Sequence, residues 1–176
     1  AYCYNSPKNY SDYDGKKAKS EIDITQRLND AMESHYQELQ QYYKKHGLIM
    51  SVFYFINKVR TGGDWDLKNQ GDWNLVKNQD YVYNGITIRS DEPGNIHFGY
   101  VGSVIFDAET LQAGAGVYQI LSDTSKPEFY SSYFDDPIDS MNVMYGYLLK
   151  NGSSYSFPGY TITIEEFEKT YRETHK

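Results

Sequence analysis

Apolar side chains recur at helical spacing from Ile24 to Tyr43, passing through Leu28, Met32, His35 or Tyr36, and Leu39. Gly47 ends that stripe. A second begins almost at once with Val52, Phe53, Ile56 and Val59, and Thr61-Gly62-Gly63 stops it. Two helices with so short a joint form a helical hairpin or an elbow. Asp23 and Gln26 are placed as a capping pair for the first of them. Ahead of it, residues 1–20 are polar and read as a flexible tail or linker. Residues 21–176 read as one domain.

A local near-repeat follows the helices. Gly63-Asp64-Trp65-Asp66-Leu67-Lys68-Asn69-Gln70 is succeeded by Gly71-Asp72-Trp73-Asn74-Leu75, and two copies do not make a solenoid. Tyr81-Val82-Tyr83 and Ile86-Thr87-Ile88 flank Asn84-Gly85, the chemistry of a type I′ turn, so a β-hairpin is predicted near residues 81–89. The glycine-spaced segment Gly94–Gly102 has no decisive period, and His97 is read there as a strand residue. Asp107 predicts a helix from Ala108 to about Leu121, weakened by about 1 kcal/mol at each of Gly114 and Gly116. A Tyr-rich loop follows, and Pro137 opens a helix through Leu149 that Asn151-Gly152 stops. Tyr160-Thr161-Ile162 reads as a short strand, and Thr163 with Glu166 as a capping box for a last helix. The sum is an α+β fold, mainly helical, with about five helices and one clear hairpin.

Composition narrows the function. The chain has 176 residues and a net charge of -7, and its basic clusters, Lys16-Lys17-Ala18-Lys19 and Lys44-Lys45, are short. Tight non-specific nucleic-acid binding is therefore disfavoured. Tyr is in excess, 19 against 8 Phe and 2 Trp, which suits wet grooves and glycan or protein surfaces. Cys3 is the only cysteine, so neither a disulfide framework nor a Cys-rich zinc site is expected. No apolar run reaches membrane-span length, and no signal peptide stands out in these residues.

Three segments carry candidate chemistry. In the first, Asp66 and Lys68 stand beside Trp65, where they could orient a polar substrate; the bland alternative is an Asx-type turn with Trp65 and Leu67 packed inward. In the second, His97 lies among Gly and Asn residues, and histidine is the commonest general acid or base near neutrality. The third, Asp135-Asp136-Pro137-Ile138-Asp139, reads as a helix start with an N-cap, a proline and an acid facing the macrodipole. Carboxylates so close also repel, raising a pKa or inviting a divalent cation at Asp135, Asp136 and Asp139. Arg89, Gln119, Glu128 and the Tyr130, Tyr133, Phe134 cluster are lesser candidates, and the four His have no metal-ligand spacing.

Taken in order, Gly63–Lys68, Gly94–Gly102, Ala113-Gly114-Ala115-Gly116-Val117-Tyr118-Gln119-Ile120 and Phe134–Asp139 resemble the bacterial polymorphic toxin type 44 domain, over about residues 62–149. The resemblance implies an exported effector used against competing cells, neutralised by a cognate immunity protein, with ribonuclease activity as the usual guess. The pattern residues it carries over are Asp66, Lys68, Asn95, His97, Gly99, Tyr100, Gly102, Gln119, Asp135, Asp136 and Asp139.

Three functions fit. One is a peptidoglycan hydrolase, with Asp66 and one of Asp135 or Asp139 as its carboxylate pair and Trp65 and Tyr100 stacking sugars. The second is a metal-independent ribonuclease with His97 as acid or base, Asp135 as its partner, and Lys68 or Arg89 stabilising the phosphorane. The third is a non-catalytic module that binds carbohydrate or protein. Charge and aromatic content favour the glycan hydrolase. On this reading Asp66, His97, Asp135 and Asp139 are catalytic, and Trp65, Lys68, Asn95, Tyr100, Gln119 and Asp136 bind substrate. A monomer with no required cofactor is expected.

Overall fold

The computed structural model describes residues 22–73, 75–111, 113, 137–152, 154–157 and 160–175. The predicted tail, residues 1–20, lies outside them. Helix α1 (Thr25–Val59) is broken at Gly47, whose φ of 75° and ψ of 179° are not helical. Positive φ carries no steric penalty at glycine, so the break falls there. The two arms fold back on one another as a hairpin. The Tyr54 hydroxyl donates to Glu38, Tyr42 stacks on Tyr54 at 4.0 Å, and Leu39 joins Phe55 in one apolar cluster. The N-terminal cap differs from the expected pair. Asp23 Oδ1 accepts from the Thr25 N–H at 2.8 Å, but Gln26 donates forward to Asp30 rather than back to the cap.

Three strands pack beside the first arm. Strand β1 (Ile22–Asp23) runs parallel to β2 (Asp80–Tyr83), and β2 pairs antiparallel with β3 (Ile86–Arg89). Asn84 and Gly85, with φ of 50° and 70°, form the turn that the sequence predicts. Alternation along these strands points Tyr81, Tyr83, Ile86 and Ile88 into the core with Leu28 and Met32 of α1.

Helix α2 (Glu92–Gly102) replaces the expected strand around His97. The helix forms despite three glycines, Gly94, Gly99 and Gly102, because packing outweighs propensity. Most of its length is buried, against helix α3 (Pro137–Asn151) on one side and α1 on the other. A Cβ at Gly99 would overlap the Val143 carbonyl, and one at Gly146 the Ile96 carbonyl. The two helices therefore cross at backbone contact. Past α2 the chain is helical again over 108–111, with the Asp107 carboxylate accepting from the Thr110 N–H at 2.8 Å.

Beyond Gly152 the fold adds a second hairpin, β4 (Ser154–Phe157) with β5 (Tyr160–Thr163). Of this pair the sequence indicates only β5. Helix α4 (Ile164–Thr174) starts with the capping box that Thr163 and Glu166 predict. Its Phe167 and Tyr171 pack on Tyr145 of α3. The architecture is α+β and mainly helical, and no described helix is long and apolar enough to cross a membrane.

Candidate functional site

Two of the sequence-predicted site residues meet where α2 and α3 begin. Asn95 Nδ2 donates to Asp139 Oδ1 at 2.7 Å, across a sequence separation of 44 residues. Both side chains are half-buried. Asp139 sits in the first turn of α3, where the unpaired N–H groups of the helix end favour a negative charge. The seam continues inward as a polar layer. Glu92, 1% exposed, accepts from His175 at 2.9 Å and from Arg89 at 2.9 Å. Burial nevertheless raises the Glu92 carboxyl above its ordinary range. Asn142, fully buried, takes the Tyr171 hydroxyl on its carbonyl, and its amide nitrogen has no partner among the described residues.

His97 lies on the other side of α2 and is 1% exposed. His35 Nδ1 and His97 Nε2 are 2.8 Å apart, and the His35 ring stacks on Trp65 at 4.7 Å. Burial, with His35 as a further cause, pushes the His97 imidazole down to about 3. It is therefore a neutral ring in a closed aromatic pocket. Trp65, 3% exposed, belongs to the same apolar cluster as Leu39, Phe55 and Val101, which leaves little of its face for a sugar.

A third cluster joins α1, α2 and α3. Glu33 Oε2 accepts from the Tyr100 hydroxyl at 2.7 Å and from Lys150 Nζ at 2.8 Å. Lys150 Nζ also sits 3.8 Å above the Tyr36 ring. Hydrogen bonds from Lys150, Gln37 and Tyr100 hold the Glu33 carboxyl down at about 2, so it stays ionised. Tyr100 is named by the sequence pattern; Glu33 and Lys150 are not, because their partnership spans 117 residues. The only local hint is the position of Glu33 on the flank of the α1 apolar stripe.

Asp66 closes the loop after α1. Its Oδ2 accepts from the Gly62 N–H at 2.8 Å and from Asn69 Nδ2 at 2.5 Å, which is the turn-forming alternative weighed above. Lys68 is exposed, and Lys58 pairs with Asp64 at 2.7 Å. Gln119, Glu128, Tyr130, Tyr133, Phe134, Asp135 and Asp136 lie outside the described residues. Among the described residues, no group of three or more His, Cys, Asp or Glu could hold a metal ion.

None of the curated proteins and none of the solved structures matches the chain. A family model does: the one described as bacterial toxin 44 matches residues 54–152, from the second arm of α1 to the end of α3.

Proposed function

Because the chain belongs to the bacterial toxin 44 family, we propose that it is an effector domain that hydrolyses a polymer, with cell-wall glycan as substrate and Asp139 at the reaction centre. The observation that carries this reading is the Asn95–Asp139 hydrogen bond. It fixes a half-buried carboxylate at the start of a helix, on a seam locked by the Gly99–Val143 contact. Glycosidic cleavage needs one carboxylic acid to protonate the leaving oxygen and a second carboxylate as base or nucleophile. Asp135 and Asp136, just ahead in sequence, are the partner carboxylates we assign, and Gln119 and Tyr100 the substrate contacts. A divalent cation shared by the three Asp is the variant of this scheme that a metal titration would reveal. Asp66 ranks behind them, because its Oδ2 already accepts two local hydrogen bonds.

The ribonuclease alternative is less well supported. His97 would have to exchange protons at neutral pH from a closed site where burial holds its basicity far down. The net charge of -7 adds no path for a phosphate backbone. Delivery into competing cells and neutralisation by an immunity protein follow from the family as proposals. Expression in a bacterium with and without a secretion signal tests the reading. Toxicity confined to the exported form supports an envelope target, and toxicity confined to the cytosolic form overturns it.

A further inference from the structure

The α1 hairpin carries a surface that the site does not use. On its second arm Leu48, Ile49, Met50, Phe53 and Ile56 are 50%, 73%, 50%, 61% and 52% exposed. Ile49, Phe53, Ile56 and Arg60 recur at helical spacing and so share one face. Ser51 and Phe55, fully buried, anchor the opposite face to the body. All eight residues from Tyr43 to Met50 are exposed, so the Gly47 turn projects from the domain as a convex tip. A patch of this size and chemistry marks an interaction surface.

Charge identifies the occupant. The chain holds 24 Asp and Glu, yet residues 39–63 contain none, while Lys44, Lys45, Lys58 and Arg60 fall within them. Lys58 is taken by Asp64 and Glu38. Lys44 and Lys45 at the tip and Arg60 at the far end remain exposed, with the apolar face between them. A projecting apolar helix face with cations at both ends is the pattern of a helix lying in the interface of an anionic membrane. We propose that the α1 tip docks the protein on anionic bilayers, seating Ile49, Met50, Phe53 and Ile56 at the acyl boundary and Lys44, Lys45 and Arg60 among the headgroups. The carboxylates that flank this span in sequence, Glu38 and Asp64, both pair with Lys58, at 3.4 and 2.7 Å. No membrane crossing is involved, and the proposal is independent of the hydrolase reading.

Flotation with vesicles of phosphatidylglycerol and phosphatidylcholine, using the full chain, tests this. The protein is expected to float with phosphatidylglycerol vesicles and to be released by salt, since screening weakens the headgroup contacts. The double variant Ile49→Ser, Phe53→Ser is expected to bind at least about tenfold more weakly. Both positions are solvent-exposed, so its thermal unfolding stays as in the parent. Lys44→Glu, Lys45→Glu is expected to abolish the preference for the anionic lipid. The proposal is overturned if the parent protein does not float. It is equally overturned if the Ser variant floats as well as the parent. Sedimentation showing a dimer that the Ser variant dissolves would assign the face to a second copy and overturn it too.

Discussion

His35 on α1 and His97 on α2 face each other with ring nitrogens 2.8 Å apart, roofed by Trp65. Both imidazoles are pushed below their ordinary value of 6.5, chiefly by burial, His97 to about 3. In the unfolded chain each regains its normal basicity. As pH falls below about 6.5 the unfolded state takes up protons that the folded state refuses, so stability falls with pH until about pH 3. The slope approaches about 1.4 kcal/mol per pH unit for each proton. Glu33, held down at about 2, adds loss of the same sign between 4.5 and 2, whereas the raised Glu92 opposes it. Urea unfolding across this range is expected to show the slope, and His97→Gln to reduce it above pH 4.5.

The crossing of α2 and α3 rests on two glycines. Gly99→Ala and Gly146→Ala each drive a methyl into a carbonyl of the facing helix, at Val143 and Ile96. Each is expected to cost at least roughly 1–3 kcal/mol in chemical denaturation. Gly71→Ala, where a Cβ meets nothing within 4 Å, is the control and should leave the midpoint nearly unchanged.

The Glu33–Lys150 pair is half-exposed, with Glu33 46% and Lys150 21% accessible. A double-mutant cycle with Glu33→Gln and Lys150→Met is expected to give a coupling under about 1 kcal/mol that shrinks in salt. A salt-insensitive coupling of several kcal/mol would contradict a structural clamp of this kind.

Asn95 holds one oxygen of Asp139. Asn95→Ala should fold and lose on the order of 10- to 100-fold in turnover, because a misplaced reacting group costs that much. Asp66→Asn keeps an oxygen acceptor for the Gly62 N–H and should leave turnover close to the parent's.

Much of this fold was legible in short stretches of sequence. Asn84-Gly85 announces its turn because few residues accept its backbone angles, and Thr163 with Glu166 announces a helix start because the box is local. Gly47 does so for the same reason. Gly94–Gly102 reads poorly in sequence because Gly99 serves close packing against Val143 of α3, and Gly102 against Leu111 and Phe55, rather than turns, and those partners lie far along the chain or on another helix. The site was legible in part. Asn95 and Asp139 come from the sequence pattern, but nothing local says that they touch. His97 looked like a catalyst by residue type, and its burial beside His35 is a property of the assembled core. For the Glu33–Lys150 pair the only local mark is the place of Glu33 on the flank of the α1 stripe, and Lys150 has none, because the two meet across 117 residues.

The most direct test incubates purified cell-wall sacculi with the parent protein, Asp139→Asn and His97→Gln. The parent is expected to release soluble glycan fragments. Asp139→Asn, folded as judged by its unfolding midpoint, should release them at least about 100-fold more slowly. His97→Gln should lose activity only in step with its loss of folded protein. Sacculi left intact by the parent, or Asp139→Asn working at the parent's rate, would contradict a glycan hydrolase centred on Asp139.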